Sequence, residues 1–391
     1  MPINYQEIYT QIKEIGKNAP ERRKKKVERQ ALARDLLNFY DSKLDELRSK
    51  VGSAKQADAN IRCAHPLNEN LASHYPPPAS IIQATLIAAD GSQILPNRHD
   101  AIQYYVINVG TIAMQVGSGN APEIYADTHL RLLDEFEDTF FSESQVALQR
   151  DIAERKKLLE VAKKYSGTII ALTEGQLELW GANDSDNSRD FEKGLQDYLD
   201  TLKEMEAQQV ITSGYVDKPG ANWVVRLLEI ASIPQNELNN LKKYHPLIGA
   251  TDLWLFSQLL GRHERSALFA LQAKSAEKYK DSISIHFFYL NVGDEKKPKI
   301  ARVDVPLWVA ANKEALDNLH SALVEQSKIM GNAPFPYLLH RAHEIAVVTH
   351  QEKEQVNQML ALEIRNNEGE LGEISGKQSA KKLTGRIPYK K

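Results

Sequence analysis

Hydrophobic positions along this chain follow two periods, and the change from one to the other marks its organisation. Leu32, Leu36, Leu37, Tyr40, Leu44, Leu47 and Val51 recur at three- and four-residue spacing, so the chain up to about residue 50 reads as amphipathic helix. A polar, proline-marked stretch from Gly52 to Pro76-Pro77-Pro78 reads as a connection. The apolar run Thr85–Ala89 then predicts a buried strand ending at Asp90-Gly91-Ser92. Two more strands are expected, Tyr104–Val109 and Thr111–Val116, followed by a long helix over Asp127–Lys164.

Beyond that helix, Thr168–Thr173 predicts a strand closed by Glu174-Gly175, then a helix over Phe191–Ala207 and a short strand at Val210–Thr212. A helix over Val224–Ile230, a hairpin of Ile283–Asn291 with Ile300–Val305, and helices over Ala311–Met330 and Tyr337–Leu362 complete the pattern. Three strands, a helix, then alternating strands and helices is the element order of an α/β, ribonuclease-H-like mixed sheet flanked by helices. A doubly wound nucleotide-binding sheet would alternate from its first strand. The expected division is a helical N-terminal region over 1–52, a linker over 53–80, a main domain over 81–362 and a basic tail over 363–391. From Lys377 to Lys391 that tail holds lysine and arginine but no acid, which reads as a disordered extension.

Composition narrows the function classes only a little. Across 391 residues, 42% hydrophobic and 26% charged content are those of an ordinary globular protein. The net charge of −3 excludes a uniformly basic nucleic-acid coat, so any DNA contact must be local. Arg22-Arg23-Lys24-Lys25-Lys26 is one local candidate for a phosphate contact, although a solvated helix face is the favoured reading. Cys63 is the single cysteine, which excludes an internal disulfide and a zinc finger and suggests a reducing, cytoplasmic setting. No apolar stretch approaches the roughly 20 residues of a membrane span.

Candidate chemistry comes from four separate elements: Asp90 on the first strand, Glu154 on the long helix, Glu174 after the fourth strand, and His343 on the last helix. Asp90 and Glu174 are each an acid followed by glycine after an apolar run, so neighbouring strands would present both carboxylates together. Hard divalent cations prefer carboxylate oxygens, and manganese also accepts imidazole. Two such ions about 4 Å apart activate water and stabilise a departing phosphodiester oxygen. Each residue also has a plain structural explanation: a turn for Asp90, a solvent-facing ion pair for Glu154, a surface position for His343. Glu160 lies on the same helix as Glu154 and could replace it.

Other motifs fail on inspection. His343-Glu344 has Val347 where a zinc protease needs its second histidine, and Gly372–Lys377 is one spacer short of a phosphate-binding loop. No ATPase motif is visible, and Ser92 lacks a hydrolase elbow.

Between about Ile82 and Leu362 the chain resembles the NurA nuclease family, whose members resect DNA ends alongside the HerA hexameric translocase. The resemblance is carried by Ala88-Ala89-Asp90-Gly91-Ser92-Gln93-Ile94, Tyr104–Gly110, Gly214–Pro219, Thr251–Phe256, Glu264-Arg265-Ser266, Pro336–Leu339 and Ala342-His343, in that order. It implies a ribonuclease-H-like fold and a manganese-dependent site, with magnesium as the other candidate ion. Asp90, Glu154, Glu174 and His343 would be the metal ligands, and Tyr337 would match an active-site tyrosine. It further implies 5′ to 3′ DNA exonuclease and single-strand endonuclease activity, a homodimer, and a HerA-type ATPase partner. Glu174 departs from the family's usual aspartate by one methylene, which leaves a catalytically weakened DNA-binding adaptor as the alternative. Cleavage of RNA on the same scaffold is a third reading.

Overall fold

The computed structural model describes residues 3–78, 83–97, 102–133, 143–179 and 188–367. The chain divides into two compact units, one of Met1–Ala79 with Tyr215–Pro334, the other of Ser80–Gly214 with Phe335–Lys391. In chain order the elements are α1 (Tyr5–Lys17), α2 (Ala19–Tyr40), α3 (Leu44–Ala57), β1 (Cys63–Pro66) and β2 (His74–Tyr75). Next come β3 (Ala84–Ile94), β4 (Tyr104–Val116), β5 (Glu123–Leu132), α4 (Glu143–Ala162), β6 (Ile169–Glu174), α5 (Ser188–Ala207) and β7 (Ile211–Val216). They are followed by α6 (Trp223–Ser232), α7 (Asp252–Leu259), β8 (Arg265–Ser266), β9 (Phe269–Gln272), β10 (Ile285–Asn291) and β11 (Ile300–Pro306). Four helices close the order: α8 (Leu307–Ala310), α9 (Lys313–Ile329), α10 (Tyr337–Ala346) and α11 (His350–Asn366).

The unit built on residues 80–214 is a mixed sheet flanked by helices, ribonuclease-H-like in its order. Its strands run β7-β6-β3-β4-β5, with β3, β4 and β5 antiparallel and β6 parallel to β3. Successive residues of a strand face opposite sides of a sheet. In β3 and the facing part of β4, odd positions meet α4: Tyr105 donates to Gln149 at 2.7 Å. Even positions meet α10: Ser92 and Asn108 donate to the Ala346 carbonyl at 2.6 and 2.7 Å. Ile94, Tyr104 and Val106 extend that face into an apolar cluster with Val348, Val356 and Leu360.

The other unit carries α1–α3 and an antiparallel sheet ordered β1-β9-β10-β11, with β8 also on β10 and β2 on β8. Its core is aromatic: Phe256 stacks on Tyr289 at 4.2 Å, and Phe287 meets Phe269 and Trp223. Asp252 is fully buried there and accepts hydrogen bonds from Val224 N, Val225 N and the Tyr289 hydroxyl.

Several expected boundaries move. Residues 53–80 are no linker, since they hold the end of α3 and the strands β1 and β2. The expected single domain over 81–362 is split, because 215–334 cluster with the N-terminal region. The first strand does not end at Asp90; it pairs with β4 as far as Ile94, so the glycine that suggested a turn lies mid-strand. The two strands expected over 104–116 are one, and 127–132, read as the start of a helix, belong to the edge strand β5. Its alternating, largely exposed side chains hid it. The final helix breaks at Val347–Thr349, where Thr349 and Glu352 form a reciprocal capping box at the start of α11. The basic run Arg22–Lys26 is an exposed face of α2, and the expected tail beyond 367 lies outside the described residues.

Candidate active site

Asp90 sits in the middle of β3, paired opposite Gly110 of β4. Both occupy the even face, and there α10 comes very close. A Cβ built on Gly110 would lie 2.5 Å from the Ala346 backbone nitrogen and 2.6 Å from the Ala342 carbonyl. Any other residue at 110 would push α10 away. With glycine there, Nδ1 of His343 donates to Asp90 Oδ2 at 2.7 Å. The bond fixes the imidazole tautomer, and in the neutral ring it leaves Nε2 as the acceptor or ligand atom. The His343 side chain is 56% exposed and that of Asp90 16%, so the pair opens to solvent on the histidine side.

Glu154 approaches from the other face. It lies on α4, only 6% exposed, and its Oε1 stands 2.6 Å from where a Gly91 Cβ would be. Gly91 therefore leaves a gap in the strand, and the helix carboxylate enters it beside Asp90. Arg150 Nε lies 3.4 Å from that carboxylate and Nη2 is 2.8 Å from Asp151. Burial pushes the Glu154 carboxyl well above the usual range, and the negative charges of Asp151 and Asp90 add to it against Arg150. Asp151 is raised too, by burial first. Arg155, 2% exposed, spans the sheet ends beneath, donating to Thr212 at 2.8 Å and Thr173 at 2.5 Å.

β6 runs parallel to β3 with Ala89 level with Thr173, so Glu174 is the residue level with Asp90. Neighbouring parallel strands lie about 4.8 Å apart. Glu174 is exposed at the strand end, on the Asp90 face by alternation.

A model of the NurA domain matches residues 84–348. The chain belongs to the NurA domain family. The NurA nuclease from Sulfolobus solfataricus is a similar solved structure at 13% identity, covering 84% of this chain and 98% of its own, with a TM-score of 0.46. A second NurA crystal structure is also 13% identical, over 74% and 91% of the two chains, at a TM-score of 0.39. The catalytic domain of human endonuclease V is 13% identical over 81% and 98%, at 0.30. No curated protein sequence matches the chain. Membership of the NurA domain family rests on the match over 84–348, not on these distant likenesses.

Of the five residues expected at a NurA-like site, the structure brings Asp90 and His343 into direct contact and sets Glu154 at the neighbouring strand position. Glu174 is placed by register. Tyr337 opens α10 six residues before His343, and no hydrogen bond among the described residues joins it to the others. Glu160 is set apart, exposed and paired with Lys157 at 2.9 Å. His343 and His350 lie on different helices. Sequence reasoning passed over Asp151 and Arg155, although Asp151 stands three residues before Glu154, the spacing that puts both on one helix face.

Among the described residues no group of three or more His, Cys, Asp and Glu side chains already has the geometry of a metal site. The donor types nevertheless suit a hard divalent cation. Asp90, Glu154 and Glu174 offer carboxylate oxygens, His343 offers Nε2, and the crowded negative charge around Glu154 is what a cation would relieve. Among the described residues no helix is long and apolar enough to cross a membrane.

Proposed function

We propose that this NurA-family chain is a divalent-metal-dependent deoxyribonuclease that hydrolyses phosphodiester bonds at the Asp90 site. The observation that carries the reading is the junction at Asp90, where His343 reaches the carboxylate from α10 and Glu154 enters over Gly91 from α4. Two helices far apart in sequence approach neighbouring positions of one strand, His343 at Asp90 and Glu154 at Gly91, and two glycines leave the room for them. A fold has no structural need to crowd buried acids in this way.

Asp90, Glu154, Glu174 and His343 Nε2 would hold the ion, Mn²⁺ by preference and Mg²⁺ as the other candidate. When bound, the ion would supply the charge that acidifies an attacking water and stabilises the leaving oxygen. The protein's own part is positioning. Asp90 orients the His343 imidazole, Arg150 and Arg155 balance the acids of α4, and Gly91 sets how near Glu154 comes. The finer reading is 5′ to 3′ exonuclease and single-strand endonuclease activity in end resection, by a homodimer served by a HerA-type hexameric ATPase. The NurA resemblance supports that reading, as does a sequence with no visible ATPase motif.

The test is incubation of end-labelled DNA and RNA of one sequence with the full chain in Mn²⁺, Mg²⁺ or EDTA. Metal-dependent loss of label from DNA supports the proposal. Cleavage of RNA alone would move it to an RNA-directed enzyme. DNA binding without cleavage in any metal, with the ATPase present, would favour the adaptor.

A further inference from the structure

A second feature of the molecule lies wholly within the unit that carries β8–β11 and α9. There a cavity of about 720 Å³ is formed by the turn before β8, the β10–β11 hairpin loop and the chain leaving α9. Arg262, His263, Lys297 and Lys328 line it, and Asp294 is the one acid among its described lining residues. Asp294 accepts from the Lys296 and Lys297 backbone N–H groups at 2.8 and 2.7 Å, and the charges of Lys297 and Arg262 also act on it. Lys328 pairs with Glu325 at 2.7 Å, whereas Arg262 and Lys297 have no ion pair among the described residues.

The walls carry two further anomalies. Ser327 lines the cavity and is fully buried, yet its hydroxyl has no hydrogen-bond partner among the described residues. A buried hydroxyl without a partner is costly, so its place next to a basic cavity calls for a ligand acceptor. His263 is held at φ 63°, a left-handed conformation that a non-glycine residue adopts at a cost. Burial, then Lys328 and Arg262, lowers its imidazole pKa, so the positive field converges on this wall. α9 ends at this wall, where the carbonyls of Ser327 and Lys328 accept from the Met330 and Gly331 N–H groups.

The geometry points to a phosphate-binding site in this cavity, in which Arg262 and Lys297 supply the charge and Ser327 the neutral hydrogen bond. Arginine's planar fork suits two phosphate oxygens at once, and lysine adds a point charge. A cavity of this size exceeds a lone phosphate, so the ligand is a phosphate carried on a larger group: a nucleic-acid strand or a free nucleotide. The inference does not rest on the nuclease reading, because binding here needs neither metal nor turnover.

The test uses the full chain in EDTA. Fluorescence anisotropy follows a short labelled single-stranded DNA, and equilibrium dialysis follows thymidine monophosphate and inorganic phosphate. The Arg262→Gln/Lys297→Gln double variant is expected to bind the phosphate ligand at least about tenfold more weakly. If the ligand is a strand, the slope of log affinity against log salt should become shallower by about 0.7 per lost contact. Thermal stability should hold, because both side chains are exposed. Loss confined to DNA identifies a strand; parallel loss for the monophosphate identifies a free nucleotide. Asp90→Ala should leave this binding intact. The inference is overturned if the double variant binds every ligand within about twofold of wild type, if wild type binds none, or if Asp90→Ala alone abolishes binding.

Discussion

Asp90 and His343, 253 positions apart, meet through a 2.7 Å hydrogen bond from Nδ1 to Oδ2. The contact exists because Gly110, across the strand pair from Asp90, lets the α10 backbone lie almost against the sheet.

Gly110→Ala should therefore act through structure. Its Cβ would meet backbone atoms at 2.5 and 2.6 Å, which cannot yield without moving α10. A loss of about 2 kcal/mol or more is expected in urea unfolding, together with loss of activity. Gly91→Ala meets the Glu154 and Arg150 side chains instead, which can swing aside. It should cost less stability while still displacing Glu154 and cutting turnover. Equal destabilisation by the two would contradict this division of roles.

Arg155 is a buried cation whose bonds are to threonine hydroxyls, and removing it leaves Thr173 and Thr212 without a donor. Arg155→Met should lower stability by roughly 2–4 kcal/mol. Thr212→Val should cost much less, about 1 kcal/mol. A urea midpoint unchanged in Arg155→Met would show that the bridge between α4, β6 and β7 is dispensable.

Acid stability should be divided between two buried groups of opposite sign. His320 is 1% exposed, donates to the His263 carbonyl at 2.8 Å, and is pushed by burial down to about 4. Between about pH 6.5 and 4 the unfolded chain binds a proton there that the folded chain does not. Its contribution, up to about 3 kcal/mol, is present above pH 6.5 and lost on acidification. Asp252 is raised by burial to about 6 and works the other way, so its contribution is present below about pH 3.8 and lost as pH rises through 6. Denaturation of His320→Gln across this range should show a flatter fall towards acid than wild type, and Asp252→Asn a steeper one. An identical pH profile for wild type and His320→Gln would exclude the assignment.

Glu174 separates the enzyme from the adaptor. It is exposed, so Glu174→Gln should leave the unfolding midpoint within about 0.5 kcal/mol of wild type. If its carboxylate serves the site, DNA cleavage should fall at least about tenfold; unchanged cleavage would remove it from the chemistry.

The chain's own pattern revealed most of the sheet and the two acids at its centre, and the reasons for the errors are physical. The apolar run to Ala89 was plain, but Asp90-Gly91 resembled a turn because glycine usually ends strands. Here Gly91 and Gly110 answer to close approach by α4 and α10, a tertiary demand that no local pattern encodes. β5 escaped although Ile124, Ala126, Leu130 and Leu132 alternate with Glu123, Asp127, His129 and Arg131, because its side chains are largely exposed and the expected helix began inside it at Asp127. Asp151 and Arg155 were in view on the same helix as Glu154, but only the fold tells which helical acids turn inward. The grouping of residues 215–334 with the N-terminal region depends on long-range pairing, such as β1 on β9.

The most direct measurement is degradation of end-labelled single- and double-stranded DNA in Mn²⁺ by wild type and Asp90→Ala, with DNA binding measured in parallel. The account predicts metal-dependent loss of label by wild type, a fall of at least about a hundredfold in Asp90→Ala, and intact binding by both. Equal cleavage by the two proteins would contradict an active site centred on Asp90.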